Sequence, residues 1–201
     1  MNILVHNRFI LFIGLLVFVI PATAVLAQSD WITHRNSAYK FRFLYPPNWI
    51  KGTPRGEHVV VTLFAPKGSP RANCNMVIRA APEIAGESQD TLDNEIRNCP
   101  IAADDLRMML GSAFPDFRII ETKTAMVNNH PAYFAITEHS HETLDRKTFL
   151  KGMWLITYTP GYVWIFSCGA KGNSKAEAME SYNHWEKTFT RMLGSLVFER
   201  W

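Results

Sequence analysis

Two strand-like stretches meet at Thr159-Pro160-Gly161, and this junction constrains the fold more than any other feature of the chain. Proline presets φ at the first central position of a turn, and glycine supplies φ > 0 at the second, as a type II turn requires. The flanking segments, Lys147 to Tyr158 and Tyr162 to Cys168, must then run antiparallel, side by side. In the second of them Tyr162, Trp164, Phe166 and Cys168 share one phase of the two-residue strand period. A two-stranded ribbon with so apolar a face is not stable alone. It needs further strands beside it and helices over it.

The rest of the chain supplies both. Tyr39, Phe41, Phe43 and Tyr45 alternate with Lys40 and Arg42, which predicts a strand with one aromatic face, stopped by Pro46-Pro47. Ser29 to Ser37 reads as a polar lead-in to it. Glu57 to Phe64 is β-branched and apolar in both phases, the pattern of a central strand. Cys74 to Ala80, Phe117 to Val127 and Ala132 to His139 are further strands, with Asn128-Asn129 closing the second of these three. Ser88 is an N-cap for a helix carrying Leu92, Ile96 and Cys99 on one face. Pro100 separates it from a second helical segment, Ala102 to about Ala113. Ser174 and Glu177 form a capping box ahead of Ala178, Tyr182, Trp185, Phe189, Met192 and Leu196, which recur every three or four residues. The expected fold class is α+β: an antiparallel sheet flanked by helices, an α/β/α sandwich.

The N-terminus is of another kind. Arg8 precedes an apolar run, Phe9 to Ile20; Pro21 breaks it, and Val25-Leu26-Ala27 offers small residues of the sort a signal peptidase reads. Residues 1–27 are therefore expected to be a secretory signal peptide and residues 28–201 a single globular domain, with an uncleaved anchor as the alternative. The run is shorter than the roughly 20 residues that span a bilayer, and no second such run follows, so no membrane span is expected in the mature chain. The residue directly after the cleavage site is Gln28 and not a cysteine, which argues against a lipoprotein. The balance of 21 basic to 18 acidic residues provides no basic stripe for nucleic acid. Export, to a periplasm or the outside, puts Cys74, Cys99 and Cys168 where thiols that meet become disulfides. Three cysteines mean one bridge and one thiol left over. Cys74 with Cys168 is favoured, because each lies on a strand in phase with large apolar neighbours. Cys74 with Cys99 is the rival, since Cys99 shares the inward face of Leu92 and Ile96.

The segments Tyr39-Lys-Phe-Arg-Phe-Leu-Tyr-Pro-Pro-Asn-Trp49 and Asn128-Asn-His-Pro-Ala-Tyr133, with the aromatic C-terminal helix, resemble the PsbP-like sandwich family. That family includes the extrinsic PsbP protein of photosystem II and many exported bacterial proteins. The resemblance runs through nearly all of the mature chain. It implies the sandwich fold, and it implies an accessory or binding protein more than an enzyme.

The most suggestive chemistry is His139-Ser140-His141. Residues two apart on a strand face the same side, so both imidazoles could reach one metal, with Glu138 or Glu142 beside them. The plain alternative is a solvated hairpin end between the fifth and sixth strands. Ser167-Cys168 has no neighbouring base or oxyanion hole, and Cys168 reads as a buried structural cysteine. Asp104 and Asp105 point apart on a helix and read as first-turn acids. His184, beside Trp185, reads as a boundary residue. No catalytic residue and no cofactor is assigned. The function expected is that of an exported, non-catalytic accessory or binding protein of the cell envelope, whose partner is an envelope protein or a small ligand. The alternative is a metal-dependent or other enzyme using His139 and His141.

Overall fold

The computed structural model describes residues 30–111, 116–143 and 146–199; the segment read as a signal peptide lies outside them. The chain forms β1 (Ile32–Asn36), β2 (Phe41–Tyr45), β3 (Ile50–Gly52), β4 (Val59–Phe64) and β5 (Ala72–Ala80). After these come α1 (Gln89–Asn98), α2 (Ala103–Gly111), β6 (Arg118–Val127), β7 (His130–Thr143), β8 (Arg146–Thr159) and β9 (Tyr162–Gly172). The chain closes with α3 (Lys175–Gly194) and the short β10 (Val197–Phe198).

The hairpin at Pro160-Gly161 sits inside a seven-stranded antiparallel sheet of order β3-β4-β5-β9-β8-β7-β6. Thr159 pairs with Tyr162, and Gly161 takes φ +79°, the value a type II turn asks of its glycine. The β6–β7 hairpin turns on Asn128 and Asn129, at φ +48° and +67°. Two successive residues in the left-handed region make a type I′ turn, whose twist suits the flanking strands, and asparagine tolerates that region better than most residues. Val127 accordingly pairs with His130, so β7 starts two residues earlier than the sequence pattern suggests.

Each face of the large sheet has its own cover. On one face lie α3 and a second, three-stranded sheet of order β1-β2-β10. Phe41 and Phe43 of β2 meet Trp164 and Phe166 of β9 at ring separations of 5.7 and 4.7 Å. Trp185 of α3 stands edge-on to Trp49 at 5.3 Å, and its indole N–H donates to the carbonyl of Pro70 at 2.9 Å. On the other face α1 and α2 bury Ile96, Leu106 and Leu110 against Tyr133, Ala135, Ile156 and Ile165. The fold is thus α+β, with an antiparallel sheet between helical layers.

Three local expectations need correcting, and one further strand has no counterpart among them. Part of the polar lead-in is a strand, β1, because Ile32 to Asn36 pairs along β2 although it buries little. The last residues form β10 against β2, a contact no local pattern announces. Cys99 does not face inward: it caps the C-terminus of α1 and is exposed. At the start of α3, Ser174 accepts from the Glu177 N–H at 3.1 Å, but Glu177 returns its bond to the N–H of Asn173, one residue ahead of the expected partner. Cys74 and Cys168, directly opposite on β5 and β9 with Cα atoms 4.0 Å apart, are joined by a disulfide.

Candidate functional site

The helices α1 and α2 cover only half of their face of the sheet. They lie over the end that carries Tyr133, Ile156 and Ile165. Beyond Trp154 the same face turns polar, and three rows of cross-strand neighbours show it. Asn75 pairs with Ser167, which pairs with Trp154. In the next row Asn73 meets Gly169, Gly169 meets Gly152, and Gly152 meets Thr137. In the third, Lys171 meets Leu150, which meets His139. Directly paired residues on a sheet present their side chains to one face. These rows therefore outline a recess of about 210 Å³ with Trp154 at its covered edge and two glycines as its floor.

The recess rests on rigid parts. The Thr62 hydroxyl donates to Asn75 Oδ1 at 2.9 Å, and the Trp154 indole N–H donates to Thr137 at 2.8 Å. The disulfide lies directly behind the floor, one residue from Gly169. A Cβ at Gly152 would come within 3.0 Å of the Cys168 carbonyl oxygen, so a side chain there meets backbone. A Cβ at Gly169 would meet nothing nearer than 3.5 Å, so alanine fits there while occupying floor space.

Of the ionisable residues that line the recess, His139 and Lys171 share its face of the sheet, while Lys151 carries its ammonium to Met179. His139 is buried, its ring 5.8 Å from that of Phe117. Burial lowers its pKa to about 4, with the Asp116 carboxylate pulling the other way, so the imidazole is neutral near pH 7. Lys171 is held below the usual lysine range by burial and by Arg71.

His139 also borders a larger cleft of about 400 Å³ beside the N-terminus of α3, where Phe149, Met179 and Lys175 contribute to the wall. The cleft lies where β6 stops: the pairing ends at Arg118 with Glu138. From there Asp116 takes over the edge of β7, accepting from the Ser140 N–H at 2.7 Å and from its hydroxyl at 2.5 Å. Those bonds hold its carboxyl below the ordinary value.

The two histidines singled out by spacing have different settings. His139 is not at a solvated hairpin end, because β7 runs on to Thr143, and only His141 is exposed. Among the described residues no group of three His, Cys, Asp or Glu side chains is placed to hold a metal ion. Ser167 borders the recess, whereas Cys168 is tied up in the disulfide. Asp104 and Asp105 sit in the first turn of α2. His184 packs edge-on against Trp185 at 4.6 Å.

Sequence reasoning passed over Asn73, Asn75, Gly169 and Lys171, and weighed Ser167 only as a nucleophile. The available signal was polar residues or glycine at every second position of strands whose other phase is wholly apolar. It also passed over a buried carboxylate, Asp93 of α1. This accepts from Gln89 at 2.7 Å, pairs with His130 at 2.9 Å and lies 3.7 Å from Arg97. With those partners it ties α1 to the start of β7.

No protein-family model matches the chain, and no curated protein does. Solved structures do. The solution structure of cyanobacterial PsbP (CyanoP) from Synechocystis sp. PCC 6803 is similar over 89% of this chain and 98% of its own, at 11% identity and a TM-score of 0.51. A mutant of the protein Mog1 is similar over 85% of this chain and 97% of its own, at 8% identity and a TM-score of 0.53. At such identities the likeness concerns backbone alone, and on that ground the chain has a PsbP-like fold, the sandwich it shares with cyanobacterial PsbP and Mog1.

Proposed function

We propose that the protein is an exported, non-catalytic binding protein of the cell envelope, and that residues 28–201 act as one domain holding a small ligand in the recess floored by Gly152 and Gly169. The observation that carries the reading is the uncovered half of the sheet. An antiparallel sheet face left open by its helices is ordinarily polar and solvated, and polarity alone makes no site. This one is concave and built on rigid strands, with a few polar groups set around Trp154, Leu150 and two glycines, the form of a preformed small-molecule site. The disulfide across β5 and β9 supports export, since such bonds persist in oxidising compartments. Among the described residues no helix is long and apolar enough to cross a membrane.

The test uses the low-mass fraction of an envelope extract as the added material and the melting temperature as the readout. A ligand that binds only the folded state raises that temperature. The rise is expected for the natural protein and not for Gly169→Ala, whose added methyl fills the floor. An equal rise in both proteins, or none in either, refutes the recess as the binding site.

A further inference from the structure

A second cavity of about 380 Å³ lies along the β4–β5 loop, and it shares Asn73 and Lys171 with the recess. Lys67 and Arg71 border that second cavity. Among the described residues neither lining contains a carboxylate, and no carboxylate pairs with Lys171. A half-buried ammonium without a counter-ion is costly unless an anion completes it. Arg71 adds to the field: its carbonyl accepts from the Lys171 N–H at 2.8 Å, and its guanidinium donates to Asn173 at 3.1 Å. Beyond the cations the recess offers two amides and a hydroxyl, Asn73, Asn75 and Ser167, which suit hydroxyl groups that both donate and accept. Trp154 and the glycine floor offer a flat apolar surface for the C–H face of a ring.

We infer that the recess binds an acid sugar, with its carboxylate at Lys171, its hydroxyls on Asn73, Asn75 and Ser167, and its ring against Trp154 and the glycine floor. The inference rests on the binding-protein reading above and supplies the ligand class. The size agrees. Pockets for drug-sized ligands run to roughly 300–1,000 Å³, and the recess alone, at about 210 Å³, suits a single ring. The second cavity leaves room for a neighbouring residue when the acid sugar is part of a polymer.

Calorimetric titration with glucuronate, glucose and inorganic phosphate tests this. Glucuronate is expected to bind, and glucose to bind at least about tenfold more weakly, since a charge-assisted hydrogen bond is lost. Added salt should weaken glucuronate binding, because ionic attraction is screened. Lys171→Met should cost about tenfold or more in affinity while leaving the melting temperature near that of the natural protein. Gly169→Ala, whose Cβ meets the backbone at ordinary distances, should remove binding in a folded protein even if Lys171→Met proves unstable. Oligogalacturonate binding more tightly than monomeric galacturonate would identify a polymer as the source, and equal affinity would identify the free acid; either supports the site. Glucose or phosphate binding as well as glucuronate, no binding of glucuronate, or binding undiminished in Gly169→Ala overturns the inference. If glucuronate fails while the envelope fraction still acts through the recess, only the ligand class falls. If both fail, so does the reading beneath it.

Discussion

His139 is a histidine that the fold keeps uncharged. Its pKa falls from 6.5 to about 4 because burial disfavours the imidazolium, although Asp116 works in the opposite sense. Between those values the unfolded chain takes up a proton that the folded chain refuses. The stabilisation is therefore complete above about pH 6.5 and is lost as the pH falls toward 4. At about 1.4 kcal/mol per unit, it amounts to about 3 kcal/mol. Urea unfolding at pH 7, 5 and 4 should show a loss of that order, and His139→Leu should flatten it. An identical slope in the variant would mean that the folded protein protonates this ring freely. The disulfide belongs to the same scale. It joins residues 94 apart in sequence, and in the chain-entropy view closing so long a loop stabilises by roughly 4–5 kcal/mol. Guanidinium unfolding of Cys74→Ala/Cys168→Ala should show a loss of up to that size. Non-reducing peptide mapping should recover the 74–168 pair with Cys99 free; a 74–99 peptide would contradict the structure.

At the scale of elements, α3 shows how an amphipathic pattern becomes a docked layer. Ala178, Tyr182, Trp185, Phe189 and Met192 form the stripe that the spacing predicts, and every one of them is buried. Trp185→Ala should cost roughly 3–5 kcal/mol, the usual range for emptying a core aromatic site. It also leaves the Pro70 carbonyl without its donor. Thermal melting would reveal the loss, and an unchanged midpoint would show that α3 contributes little. The hairpins were equally plain, because Pro160-Gly161 and Asn128-Asn129 carry their turn geometry in residue type. β1, β3 and β10 were not. Ile32 to Asn36 and Ile50 to Gly52 bury few side chains, so they lack the alternation by which strands are recognised. They exist because a neighbouring strand offers them a ladder, and a partner of that kind leaves no mark on the segment itself. β10 is only Val197 and Phe198. It pairs with β2 from the far end of the chain, after α3 has carried it across the sheet.

At the scale of the whole molecule, the proposed export predicts where the mature protein begins. N-terminal sequencing of the protein recovered from the periplasm or medium should begin at Gln28, and intact Met1 in the membrane fraction would point to an anchor. What the sequence by itself determined is whatever depends on neighbours along the chain. Turn chemistry, the apolar phase of β5 and of β9, the helical stripe of α3 and the phase of Cys74 and Cys168 are of this kind, and together they led to the sandwich. The tertiary structure alone decided which parts of a face are covered. Asn73, Asn75, Ser167, Gly169 and Lys171 come from two strands that α1, α2, β6, β7 and β8 separate in sequence, and they form a recess only because β5 and β9 are paired. His139 likewise reads as a hairpin end until β7 and β8 are seen to extend past it. The physical reason is range. Backbone dihedrals and side-chain period are set within a few residues, whereas burial is set by which element packs over which, so the same polar alternation can face either water or a walled recess.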